Sequence, residues 1–359
     1  MSEGEPSNLQ TFARRTLIVI GIVLGLVLLL YGLYKVTTIL IVIFAGVLLS
    51  VLLDGVASWI HEHTPVPRWL ALTAVVIGGA GIAFAFSWFA GPPFADQMSQ
   101  LADKLDSAVV SVKHYLEQYS WGRKLISETS SPSKMLPFGS HLLTEIGFIF
   151  STTMSALGAA LMILFVGIYL AADPHLYIDS IIRLVPPSRR ARAYEVVHSL
   201  GTALRWWLVG RFITMFLIAI LTTAGLYLIG LPLAPILGLI GGLFTFVPYL
   251  GPIAAAAPAV LVGFSVRPML ALWVVIVYLA VHGLEGYVIS PLIQEEAVSI
   301  PPALLLSVQI IMASIFGIFG ILFATPITVV VIVLFQTLYV RGALGDNKIR
   351  LMGEHVRRK

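Results

Sequence analysis

Cysteine is absent from the 359 residues, and charge is scarce, with only 11% of positions Asp, Glu, Lys or Arg. The first absence excludes disulfides, thiolate catalysis and cysteine-ligated metals. The second excludes an ordinary soluble domain, which needs far more polar side chains to cover its surface. No GxxxxGK[ST] phosphate loop occurs, so no ATP-driven pump is assigned, and no GxSxG nucleophile elbow occurs either. The His61-Glu62-His63 triplet lacks the HExxH spacing of a zinc-binding helix. Neither a cofactor, a metal nor enzymatic catalysis is expected.

What the chain has instead is apolar sequence, 58% hydrophobic residues with a mean hydropathy of +0.95. The apolar runs are about 20 residues long, the length of a membrane-crossing helix, and they do not alternate as barrel strands do. An all-α polytopic membrane protein with about eight transmembrane helices is therefore expected. The predicted spans are Leu17–Leu33, Val36–Trp59, Trp69–Ala90, Phe148–Ala171, Trp207–Ile229, Ala234–Phe264, Met269–Ile289 and one within Pro302–Val340. The first run leads almost directly into the second, so it reads as a retained helix rather than a cleaved signal. Pro92-Pro93 stops the third span and Asp173-Pro174 the fourth. The final apolar region is close to double the length of one crossing, and reads either as one tilted helix or as a re-entrant hairpin plus a span.

Four sections follow: membrane helices at 1–91, an extramembrane insertion at 92–147, a membrane core at 148–340 and a basic tail at 341–359. Within the insertion, Phe94, Met98, Leu101, Leu105, Val109, Val112, Leu116 and Tyr119 recur every three or four positions. That pattern predicts an amphipathic helix on the interface or against the bundle. Residues 127–140 read as a connector. Ser188 is positioned to cap a helix whose first turns carry Arg189, Arg190 and Arg192. Those arginines oppose the helix dipole and need another reason, such as an anionic lipid surface.

With the N-terminus inside, fifteen Lys and Arg residues fall on that side and six on the other, with Arg211 inside a span. The excess places both termini in the cytoplasm of a prokaryotic-type inner membrane. It also accounts for the formal charge of +4 without nucleic acid as a partner.

Gly230 to Pro258 is dense in glycine and holds five prolines, with Pro248-Tyr249-Leu250-Gly251-Pro252 near its middle. A broken helix or a kink is expected there, and a broken helix exposes backbone polar groups to a solute. Ionisable residues within spans are Asp54, Arg211, His282 and Glu285. Such groups are costly in hydrocarbon unless paired, solvated or protonated. His282 and Glu285 are three apart and share a helix face, so one can take a proton or cation while the other tunes it. Alternatively, Glu285 ties helix ends together.

The ordered segments Gly230-Leu231-Pro232, Phe246 to Pro252, Leu284 to Pro291 (LEGYVISP) and Ser314 to Pro326 (SIFGIFGILFATP) resemble the autoinducer-2 exporter family, also described as the PerM-like permeases. The resemblance covers about 130 residues of motif order, and the whole-chain plan is similar too. Leu250 replaces the usual isoleucine, Tyr287 a frequent asparagine, and Pro301-Pro302 a histidine-proline pair. The resemblance implies passive or ion-coupled transport, linked in the family to export of a small signalling furanone or to sodium/proton antiport. It also implies a homo-oligomer, with a pentamer as the assembly suggested. The expected function is a secondary transporter or exporter of a small molecule or monovalent cation in contact with membrane lipid. Glu285, His282, Pro248, Tyr249, Gly251, Pro252, Pro291, Asp54 and Arg211 are its candidate transport or gating residues. A channel-like pore and a non-transporting scaffold are the alternatives.

Overall fold

The computed structural model describes residues 39–119, 153–289 and 300–342, and throughout them the regular structure is helical. Ten helices organise the described residues: α1 (Ile39–His63), α2 (Arg68–Phe89), α3 (Gly91–Glu117), α4 (Thr153–Ala172), α5 (Pro174–Arg183), α6 (Arg190–Leu228), α7 (Ala234–Phe244), α8 (Leu250–Val266), α9 (Pro268–Leu284) and α10 (Pro302–Leu334). Short π-helical turns extend α9 over Glu285–Ile289 and α10 over Phe335–Arg341.

Five of these stretches are long and apolar enough to cross a membrane, or six if α4 and α5 count as one bent span. Among the described residues the eight spans expected from hydropathy are not all found, for reasons local to each. Leu17–Leu33 lies outside the described residues. Ala234–Phe264 is broken where the Pro248 to Pro252 string predicted, into two helices of 11 and 17 residues rather than one continuous span. The α4 helix ends as read: Asp173 accepts from the Leu176 amide at 3.1 Å, Pro174 opens α5, and the axis bends by 85°. Pro92 and Pro93 do more than stop α2. They sit in the first turn of α3, where a missing amide hydrogen costs nothing.

Contacts along α6 set the direction of everything packed on it. The α7 helix runs back along α6, since Gly238 lies against Thr223 and Gly242 against Met215 and Ala219. Neither glycine has room for a Cβ, so close backbone approach is what these positions serve. The α8 helix then returns toward the Leu228 end, where Gly263 meets Ala271 and Val274 of α9. The α9 helix descends antiparallel to α6, with Val277 against Gly225 and Val281 beside Ile218. The α7–α8 pair is thus a helical hairpin that enters and leaves at the Leu228 end of α6.

A second hairpin comes from the opposite end. Gly317 has φ 60° and ψ −140°, a conformation that breaks α10, and Gly320 consequently lies against the Met312 carbonyl. The chain folds back there, so the last apolar region is two arms rather than one tilted helix. Its second arm packs Phe323, Val329 and Val333 on Leu48, Leu204, Trp207 and Leu208.

The amphipathic helix falls where it was expected, as α3, and it packs on the bundle. Leu101 and Leu105 are buried in a core with Leu226, Leu231, Leu237 and Val262, and Tyr115 stands edge-on to Phe264. The Gln97 side chain accepts from the Ile236 amide at 3.2 Å, satisfying the first turn of α7. Ser188 does not cap α6: it lies in the 3-10 turn Pro187–Arg189, and the helix begins without a side-chain cap. Arg190 and Arg192 find protein partners instead. Arg190 donates to the Val185 and Arg183 carbonyls, and Arg192 pairs with Glu195 at 2.6 Å and donates to the Thr337 carbonyl. Arg341, from the end of α10, completes the pair-wise knot on Glu195 at 3.8 Å.

Candidate functional site

Three of the candidate residues converge although α6 and α9 are distant in sequence. His282 Nδ1 lies 2.7 Å from Glu285 Oε2, the one-turn spacing read from the sequence. Arg211 approaches the same carboxylate from α6, Nη1 to Oε1, at 3.8 Å. The Arg211 and Glu285 side chains are only 7% and 13% exposed, so this is a buried charge pair with a histidine attached. Removing one member of such a pair leaves the other charge uncompensated, typically at about 3–5 kcal/mol. Glu285 also opens the π-helical turn, a distortion frequent at functional sites. His282 Nε2 is buried and has no hydrogen-bond partner among the described residues. Tyr278 flanks the ring at 5.9 Å and donates its hydroxyl to the Ala255 carbonyl on α8.

The turn of the α7–α8 hairpin is built onto this cluster. Arg211 Nε donates to the Phe246 carbonyl at 3.2 Å, and the Phe246 ring stands edge-on to Trp207. Tyr249 adopts φ 64° and ψ −55°, and the Leu250 amide bonds the Pro248 carbonyl at 2.8 Å. That is a γ-turn of the uncommon positive-φ kind, worth about 1–3 kcal/mol of strain for a residue with a Cβ. Gly251 follows because a Cβ there would collide with the Phe244 carbonyl. Pro252 sits in the first turn of α8 and needs no amide. Gln309, from the first arm of α10, donates its amide to the Pro248 carbonyl at 3.0 Å and is fully buried.

Asp54 is placed elsewhere. It pairs with Arg68 at 2.6 Å, and Arg68 also donates to the Ala171 carbonyl. Both line a cleft of about 1360 Å³ at the Arg190 half of α6, together with Trp59, His175, His198 and Arg205, and none of Arg211, His282 and Glu285 lines it. Asp54 therefore closes a helix junction apart from the Glu285 cluster. Pro291 lies outside the described residues. Among the described residues no group of three His, Asp or Glu side chains is placed to hold a metal ion.

Sequence reasoning missed Gln309, Arg205 and Gln97. Gln309 carries a legible signal, being the one amide side chain in the apolar stretch from Pro302 to Leu334. Arg205 is a helix-surface arginine by pattern, and only the fold shows its guanidinium reaching the Gly55 carbonyl at 2.5 Å.

The family model for the "AI-2E family transporter" matches residues 22–340. The chain is 25% identical over 309 residues to the "Putative transport protein YrrI" of Bacillus subtilis (strain 168), covering 82% of this chain and 84% of that protein. It is 24% identical over 278 residues to the "Putative transport protein YueF" of the same organism, covering 74% and 75%. Similarity also extends to the "Putative transport protein MT0215" of Mycobacterium tuberculosis (strain CDC 1551 / Oshkosh), at 26% over 317 residues, covering 85% and 84%. The ordered motifs, the helical membrane architecture and a match over most of the length agree: this chain belongs to the AI-2E transporter family of multi-pass membrane transport proteins.

Proposed function

We propose that this transport protein is a secondary transporter or exporter of a small solute or ion, driven by a proton or sodium gradient. The observation that carries the reading is the buried Arg211–Glu285–His282 cluster, set against the strained turn of a helical hairpin. A carboxylate shared between a permanent cation and an imidazole changes its partners when it takes up a proton or loses one. Because Arg211 also holds the Phe246 carbonyl, such a change reaches the backbone of the hairpin. Pro248, Tyr249, Gly251 and Pro252 form the hinge in this reading, and Glu285 with His282 forms the ion-responsive pair. The solute is a small polar molecule, with the signalling furanone of the family's namesake as one candidate and a monovalent cation as the other. Asp54 takes a structural part with Arg68 rather than a place in the ion pair.

The helix directions favour crossings by α1, α2, α4, α6 and α9, with the α7–α8 and α10 hairpins entering from opposite faces, and the hydropathy of Leu17–Leu33, outside the described residues, adds a sixth in this reading. Six is even, which keeps both termini on the cytoplasmic side and moves only Arg267 to the other face, still fourteen basic residues against seven. The protein acts as a homo-oligomer in an inner membrane in this reading. A scaffold role is the less favoured alternative, because Leu101 and Leu105, at the middle of the apolar face of α3 that would recruit a partner, are already buried in the core.

The test uses purified protein in sealed liposomes with an imposed pH gradient and an internal pH-sensitive dye. Addition of sodium or potassium outside should dissipate the gradient at a saturable rate, and Glu285→Gln should slow it at least about tenfold. Conductance that never saturates and needs no counter-ion would point to a pore instead.

A further inference from the structure

Gln309 is fully buried in an apolar arm where leucine or isoleucine would pack without any polar cost, yet its amide nitrogen is spent on one acceptor, the Pro248 carbonyl. That carbonyl already receives the Leu250 amide in the strained turn. Two residues earlier the Phe246 carbonyl receives Arg211. The turn is therefore gripped from two helices at once, by α10 through a neutral donor and by α6 through a charged one. The Gln309 amide oxygen is buried without a partner among the described residues. A side chain kept for packing alone would not be left half-satisfied, so the position is specified by its donor.

We propose that Gln309 is a positioning residue for the Glu285 cluster: it pins the Pro248 carbonyl, holds the Tyr249 turn in its strained form, and thereby keeps the Phe246 carbonyl where Arg211 can bind it and Glu285 together. The two donors form one clamp on the hairpin turn, and Glu285 controls the charged half. This rests on the proposed ion-responsive role of Glu285. The groups that face Glu285 are His282 on its own helix and Arg211 on α6, with Tyr249 within electrostatic reach of Arg211 and Tyr278 beside His282. When the carboxylate is neutral, Arg211 loses its counter-charge and the grip on Phe246 loosens. Gln309 then sets how far the turn can move.

Hydrogen–deuterium exchange on the full chain in lipid nanodiscs tests this without any flux measurement. Gln309→Leu should raise exchange in peptides covering residues 244–252 several-fold, with exchange across Ile39–His63 and the thermal midpoint unchanged. Glu285→Gln, which mimics the neutral carboxyl, should accelerate the same peptides. The double variant should show less than the product of the two effects, because both act on one turn. Unchanged exchange at 244–252 in Gln309→Leu, or an equal rise in α1, would overturn the positioning role. A product of independent effects in the double variant would overturn the single clamp. If the exchange effects appear but the liposomes carry no ion-dependent flux, the clamp stands and the transport reading falls.

Discussion

At the residue scale, the same amino acid does opposite work depending on what surrounds its Cα. Gly251 faces the Phe244 carbonyl with no space for a methyl, whereas Gly78 in α2 has open space where its Cβ would be. Gly251→Ala must push the turn off the Phe244 carbonyl and should cost more than about 3 kcal/mol, the range reserved for backbone clashes and core disruption. Gly78→Ala should be neutral or stabilise α2 by about 0.5–1 kcal/mol, through helix propensity alone. Thermal unfolding in one detergent measures both, and equal shifts would refute this reading of the hairpin. The residues of the charge cluster were legible individually, because ionisable groups in apolar runs stand out. Their meeting was not, since Arg211 and Glu285 are brought together only by the antiparallel course of α6 and α9. Gln309 was overlooked because an uncharged amide barely changes the hydropathy of its window, although burial makes it as demanding of a partner as many charges.

At the scale of elements, the break at Asp173-Pro174 was easier to read than direction, although the cap expected from Ser188 does not form. Asp173-Pro174 marked the end of α4 in the sequence, and the same pair opens α5, because an N-cap carboxylate and a proline without an amide favour one local geometry. Hydropathy could not separate a crossing from a hairpin, since it reports the solvent a segment prefers and not where the segment turns. Hence Ala234–Phe264 read as a span with a break inside it, and the last apolar region stood open between one tilted helix and a hairpin, which the positive φ of Gly317 resolves. The amphipathic period of α3 was clear, and its partner α8 supplied what the period could not. If α3 is a structural member of the core, Leu101→Ala should destabilise the protein by about 2–5 kcal/mol, as large-to-small changes at buried sites do. A helix resting on lipid would tolerate the change with less than about 1 kcal/mol, and thermal unfolding in nanodiscs distinguishes the two.

At the scale of the whole molecule, the two hairpins meet where Gln309 of one holds the Pro248 carbonyl in the turn of the other, beside Arg211, and the proposed topology differs from the one drawn from hydropathy. Arg267 caps the junction of α8 and α9 at the Leu228 end of α6, which the proposed topology puts on the face opposite Arg189. The absence of native cysteine makes this measurable with single-cysteine variants and an impermeant maleimide on intact cells. Arg267→Cys should label from outside, and Arg189→Cys should label only after the membrane is opened. Labelling of both from the same side would restore the straight crossing through residues 234–264.

In the proposed function a proton-accepting carboxylate at position 285, and not merely a side chain of that size, couples an ion gradient to transport. Gradient-driven flux in liposomes should therefore be measured across pH for Glu285→Asp and Glu285→Gln side by side. A reduced but pH-responsive flux in the aspartate variant, with flux nearly abolished in the glutamine variant, is the predicted result. Equal flux and an unchanged pH profile in both would contradict the account.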